Sequence, residues 1–247
     1  MPQRLTNARL ILRDRVVDGA IDLHAGRIAA IDAGGATADA YDCDGDFLLP
    51  GLVELHTDNL EKHLLPRSGA LWPALPALLA HDAQLLAAGI TTALDAIALG
   101  DLEEEGVRVG TLADTIAALD RAAQRDLLRV HHYLHLRCEL CYPELPQLLA
   151  SLIAHPRVRL VSLMDHTPGQ RQYRDLDQYR RYYAHTGTVW DDAQFARLVD
   201  ARLEQQRRYR AKHLDDVVAR ARDRGLVLAS HDDTEAAHVA EARATTS

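Results

Sequence analysis

Two hydrophobic patterns divide the chain, and they change over at Pro50-Gly51. Before that point, short apolar runs alternate with turn signals. Leu10-Ile11-Leu12, Val16-Val17, Ala20-Ile21-Asp22-Leu23 and Arg27-Ile28-Ala29-Ala30-Ile31 are separated by Asp18-Gly19 and Ala25-Gly26 and followed by Gly34-Gly35. The pattern predicts a small antiparallel sheet, and residues 1–50 read as a small β-domain. After Pro50-Gly51, strand-like runs at 52–57, 90–98, 129–138, 158–165 and 226–231 alternate with helical patterns at 70–88, 109–125 and 144–154. Alternation of this kind predicts parallel βα units across residues 51–247.

Residues 171–224 are rich in arginine. Phe195, Leu198, Val199 and Leu203 fall at helical spacing, and Leu214, Val217 and Val218 follow. The stretch predicts two or three helices, read as a solvated helical excursion packed on the βα region.

Each predicted strand of the second region is given a polar end: His56 and Asp58, Asp95, Glu139, Asp165 and His166, His231 and Asp232. In a βα barrel the active site lies at the C-terminal ends of the strands, so polar groups gathered there are a functional signal. His56 and Asp58 are two residues apart, which places both side chains on one face of a strand. Histidine with carboxylate suits zinc or another first-row divalent ion. Glu139 is placed where a carboxylate can bridge two ions, and His166 and His231 stand at later strand ends. Any one of these has an ordinary structural alternative. Four such sites at successive strand ends are harder to explain that way. His131, His132 and His135 divide between the two faces of one strand, so that at most one or two point inward, and they read as barrel residues or as supports behind the ligands.

Composition narrows the function classes. The net charge of −8 argues against nucleic acid or an anionic membrane surface as a partner. No window approaches the apolar length of a membrane span, and the first residues lack a signal peptide's apolar run. Three cysteines give no disulfide framework, and Cys138 and Cys141 read as buried structural thiols. A cytoplasmic location is expected.

Four segments are more specific than any spacing: LLPGLVELHTDNLEKH at 48–63, HLRCEL at 135–140, SLMDHTPGQRQY at 162–173 and ASHDD at 229–233. In these segments, and more loosely along nearly all of its length, the chain resembles the diphosphatases of the C–P lyase pathway of phosphonate degradation, a branch of the amidohydrolase superfamily. The resemblance implies an α/β fold, a (βα)8 TIM-type barrel with a small β-sandwich piece at the N-terminus. It implies His56 and Asp58 as first-strand metal ligands, Glu139 as the bridging carboxylate, and His166 and His231 as ligands of a second ion, so two divalent ions, zinc or another first-row metal. The implied substrate is a phosphorylated sugar, α-D-ribose 1-methylphosphonate 5-triphosphate, cleaved to pyrophosphate and the 5-phosphate. For such a triphosphate, Lys62, His63, Arg67 and Arg171 are candidate phosphate-binding cations, and Asn59 and Glu61 are candidates to orient His56.

Three departures from the superfamily stand out. The usual first-strand His-x-His is His-x-Asp here. No lysine sits where a carboxylated lysine would, since Lys62 and Lys212 are the two lysines and neither ends a strand. The aspartate that relatives supply from the last barrel strand, as ligand and general base, has no counterpart, because Asp232 and Asp233 lie too close to His231 to come from another strand. Only five strands are counted where a closed barrel needs eight. The expectation is therefore a C-terminally incomplete barrel, whose open edges leave room for a homo-oligomer. Two other readings remain: a deacetylase or cyclic-amide hydrolase on the same fold, and an inactive fragment or binding module.

Overall fold

The computed structural model describes residues 3–34, 37, 39–67, 69–100, 107–185 and 189–246; Gly35, half of one predicted turn, lies outside them. The chain divides into two compact units, Met1–Leu52 and Val53–Ser247.

The first unit holds β1 (Gln3–Ile11), β2 (Val16–His24), β3 (Arg27–Asp32), β4 (Tyr41–Asp42) and β5 (Phe47–Leu48). β1, β2 and β3 pair antiparallel, while β4 and β5 run parallel to β1. The sheet is therefore mixed and not simply antiparallel. Ala8, Leu10 and Ile21 form its small core. The Asp18-Gly19 signal, read as a turn, lies inside β2. A side chain at Gly19 would collide with the carbonyl oxygen of Asp32 on β3. The glycine marks a close backbone approach within a strand.

The second unit alternates as predicted: β6 (Leu52–Thr57), α1 (Asn59–Leu64), α2 (Ala74–Ala87), β7 (Ile90–Leu99), α3 (Val107–Gln124), β8 (His131–Glu139), α4 (Leu145–Leu152), β9 (Val158–Met164), α5 (Leu176–His185), α6 (Asp192–Asp223), β10 (Val227–Ser230) and α7 (Ala236–Thr246). The strands lie in the order β10-β9-β8-β7-β6, and β7 through β10 pair in parallel. This is a curled five-stranded half-barrel. On its outer face, Ile97, Leu99, Leu134, Leu136, Val161 and Leu163 pack against Leu78, Ile116, Leu119, Leu149 and Val217 from the helices.

Other expectations change as well. The helix predicted at 70–88 begins only at Ala74, after Pro73 in extended conformation; Trp72, which precedes that proline, is pushed out of the helical region. The helical stretch at 171–224 resolves into a short turn at Arg171–Tyr173, α5 and the 32-residue α6, which opens on a capping box between Asp191 and Gln194. It is not wholly an excursion: His213, Val217, Val218 and Ala221 are buried. The second half of α6 is the crossover from β9 to β10.

Asp95, read as a strand end, sits in the middle of β7 and is fully buried. It accepts from His81 Nε2 at 2.9 Å and His132 Nδ1 at 2.8 Å. His132 Nε2 lies 3.2 Å from Asp82, which also accepts from the backbone N–H groups of Arg129 and Val130. This network ties α2 to β7 and to the start of β8. Asp165 does close β9 but is an anchor for α6, accepting from Gln206 Nε2 and Arg210 Nε, each at 2.9 Å. Burial raises its pKa, yet hydrogen bonds from Thr167 and Gln206 outweigh that and hold it at about 2. Cys138 and Cys141 are buried free thiols, pushed by burial well above the usual thiol range.

Candidate metal and phosphate site

The inner face of β8 carries His135, Arg137 and Glu139 at the strand's period of two. Their cross-strand neighbours on that face include the small residues Ala96, Ala98 and Ser162. Small neighbours leave room for the longer groups. From the strand ends on either side come His56 near the end of β6 and Asp58 just after it, His166 after β9, and His231 and Asp232 after β10.

These side chains meet. The imidazoles form a row, with ring centroids 5.0 Å apart from His135 to His56, 5.3 Å from His56 to His231 and 5.7 Å from His231 to His166. His166 Nδ1 lies 2.6 Å from Glu139 Oε2. Its Nε2 lies 3.4 Å from Asp232 Oδ2, which is also 3.3 Å from His231 Nε2. His56 Nε2 is 3.4 Å from Asp58 Oδ1, and Arg137 Nη1 donates to the same oxygen at 2.6 Å. All five residues expected to bind metal stand in one cluster, joined by His135, Arg137 and Asp232.

The electrostatics are those of a crowded, half-dry site. Burial above all holds His135 and His231 down at about 4. Burial also lowers His166, but its hydrogen bonds to Asp232 and Glu139 prevail and raise it to about 9. That ring stands between two carboxylates, where positive charge is favoured.

Does the donor set suit a divalent ion? One ligand atom each from His166, His231 and Asp232 lie within 4.8 Å of one another. His135 Nε2 is buried with no hydrogen-bond partner among the described residues. Imidazole nitrogen with carboxylate oxygen is the donor chemistry of zinc and other first-row ions. The residues fit.

A cavity of about 1030 Å³ opens beside the cluster, bounded by Asp58, Glu139 and His166. Lys62, Arg67, Arg108, Arg137 and Arg202 also line it, and Tyr173, Tyr182 and Trp190 form part of its wall.

Against proteins of known activity, the chain is 41% identical over 238 residues to the alpha-D-ribose 1-methylphosphonate 5-triphosphate diphosphatase of Escherichia coli (strain K12). The chain is similar to that diphosphatase along nearly all of its own length. The match takes in 96% of this chain and 63% of the diphosphatase's own length. No family model matches. Among solved structures, a D-hydantoinase overlaps 94% of this chain and 40% of its own at 12% identity and a TM-score of 0.48. The L-hydantoinase of Arthrobacter aurescens overlaps 99% of this chain and 56% of its own at 16% identity and a TM-score of 0.46.

The diphosphatase resemblance had suggested further residues, and the structure places them unevenly. Lys62 and Arg67 line the cavity. His63 is turned away, with Nε2 2.9 Å from Gln84 Oε1. Arg171 is buried and engaged elsewhere, donating to the His231 carbonyl at 2.9 Å, Asp233 at 2.7 Å and Glu241 at 2.9 Å. It holds the loop after β10 in place and does not face the cavity. Asn59 accepts from Lys62 at 3.1 Å, and Glu61 pairs with Arg108 at 3.2 Å. No hydrogen bond joins either side chain to His56; the ring is set by its contacts with His135 and His231. Burial raises the pKa of Glu61.

His135, Arg137 and Asp232 were passed over as site residues. The signal for the first two was the alternation His-x-Arg-x-Glu on a strand already credited with Glu139. Asp232 stands among the polar strand ends of the sequence and is ruled out there only as the last-strand aspartate; its backbone turns through the left-handed region at φ 54° and brings the carboxylate back to His166. Strained backbone of this kind concentrates at functional sites.

Gly100, just beyond β7, has φ 132°, and a Cβ there would lie 2.7 Å from Glu139 Cβ and 2.8 Å from Tyr142 Cβ. Gly100→Ala should cost about 2–4 kcal/mol from strain and overpacking and displace Glu139. Thermal melting checks this; a melting temperature equal to the parent's would show that Glu139 is not held against that backbone.

Proposed function

We propose that this chain supplies the metal-binding and phosphate-binding part of a hydrolase acting on α-D-ribose 1-methylphosphonate 5-triphosphate. The products are pyrophosphate and ribose 1-methylphosphonate 5-phosphate, in phosphonate degradation. The frame is read as part of a (βα)8 amidohydrolase barrel. The observation that carries the reading is the convergence of His56, Asp58, Glu139, His166 and His231 beside a cavity lined by Lys62 and Arg67. The relative's name supplies the substrate.

His56 and Asp58 would hold one divalent ion and His166 and His231 a second, with Glu139 between them. Bound there, such ions supply a water acidic enough to ionise near neutral pH and positive charge for the phosphoryl oxygens. The chain's own groups do the positioning on which phosphoryl transfer depends. Lys62 and Arg67 neutralise the polyphosphate. Asp232 accepts from His166 and keeps that ring turned toward Glu139. The aromatic wall shields the cavity from bulk water.

The cations favour a phosphorylated substrate over a neutral cyclic amide, which carries no charge that would call for them. The test is to incubate the metal-supplemented chain separately with the triphosphate, a hydantoin and an N-acetylated amino sugar. Pyrophosphate release alone is expected; cleavage of either amide without pyrophosphate release would replace this reading with the amidase one.

A further inference from the structure

Arg137 has no part in the resemblance or in the reading above beyond lining the cavity. It rises from the sheet itself, on β8 between His135 and Glu139, on the face those residues share. Its side chain is 10% exposed. Nη1 is committed to Asp58 at 2.6 Å. Nε is buried and has no hydrogen-bond partner among the described residues. A guanidinium stays charged and keeps all its donors, and a buried donor left unpaired is costly. Neutralising Asp58 requires only the Nη1 end. The other edge of the fork therefore calls for an acceptor, and Arg137 is among the residues that line the cavity.

We infer that Arg137 is a phosphoryl-binding residue, whose Nε–Nη2 edge receives two oxygens of a tetrahedral oxyanion while Nη1 holds Asp58. This rests on the triphosphate reading and deepens it. The paired donors match phosphate bidentately, which a lysine at the same place cannot do. Asp58 keeps its second oxygen for other chemistry, since both of its described contacts use Oδ1. The fixed charge also reaches His135 and His231, where it favours the neutral rings. Lys62 and Arg67 approach from α1 and the turn after it, so the ligand would be gripped from the helical rim and from the sheet floor together.

The test is calorimetric titration of inorganic phosphate into the 247-residue chain as isolated, comparing wild type, Arg137→Lys and Arg137→Gln. Metal content and thermal melting are measured on the same samples. Arg137→Lys keeps a charge that can pair with Asp58 but loses the fork. Phosphate affinity should fall about tenfold in Arg137→Lys and further in Arg137→Gln, with the metal content of the lysine variant unchanged. Wild-type affinity in the lysine variant would overturn the inference. So would absence of phosphate binding by the wild type, or loss of phosphate binding only together with metal, which would reduce Arg137 to a holder of Asp58. Pyrophosphate release from the triphosphate is scored separately. Arg137-dependent phosphate binding without release sinks the triphosphate reading alone. Release with phosphate binding indifferent to residue 137 sinks the Arg137 inference alone.

Discussion

Asp95→Ala should lower the melting temperature of the chain by about 10 °C, the consequence of roughly 3–5 kcal/mol lost when one partner of a buried ionic network is removed. Asp95 is enclosed by His81 and His132, all three essentially without solvent contact. Burial alone would raise the Asp95 pKa, but its hydrogen bonds with His132 and His81 bring it below the usual carboxylate range. Burial alone would lower His132, but its hydrogen bonds and charge contacts with Asp95 and Asp82 bring it above the usual imidazole range. Alanine leaves His132 buried with Asp82 as its remaining carboxylate.

The same shifts set a pH dependence. A lowered Asp95 contributes stability that is present above its unfolded value of 3.8 and lost as pH falls through the folded value. A raised His132 contributes stability that is full below its unfolded value of 6.5 and lost as pH rises through the folded one. The network therefore contributes most between pH 3.8 and 6.5. The melting difference between parent and Asp95→Ala should be widest in that window. A difference that does not vary with pH would mean that the network is not ionic. In a cycle with His132→Ala, the two losses should be less than additive.

Glu139→Gln should cost the proposed hydrolysis at least about a hundredfold, more than the loss expected for a group that only supports a ligand. Glutamine keeps the size and an oxygen for the His166 Nδ1–H, so the contact now at 2.6 Å can persist. What it removes is negative charge, at a side chain 2% exposed and in contact with His166. Bound divalent metal should fall with activity while melting stays close to the parent's. A glutamine variant that retains the parent's metal content and pyrophosphate release would show that the carboxylate's charge has no such role.

The strands of the half-barrel were legible because a strand buried between helices and a site must be apolar on one face and bounded by turns. That same rule hid Asp95. A polar residue late in an apolar run looks like a strand end, and only the partners His81 and His132, 14 and 37 residues away, show that it is interior. Gly19 misled for a related reason: glycine marks tight backbone approach, and a sequence does not say whether a turn or a neighbouring strand makes the approach. The ligand-like residues were visible at strand ends, since a strand's period fixes which side chains share a face. Directions within loops were not. Arg171 and His63 lie beside site residues in sequence and point elsewhere, while Asp232 returns to the site through one left-handed residue.

Elemental mass spectrometry of the purified chain after gentle dialysis shows whether the cluster holds metal. About two divalent ions per chain are expected, as a two-metal site requires, lost in the double variant His56→Ala/Glu139→Ala. A well-folded chain that binds no divalent metal would contradict the two-metal site.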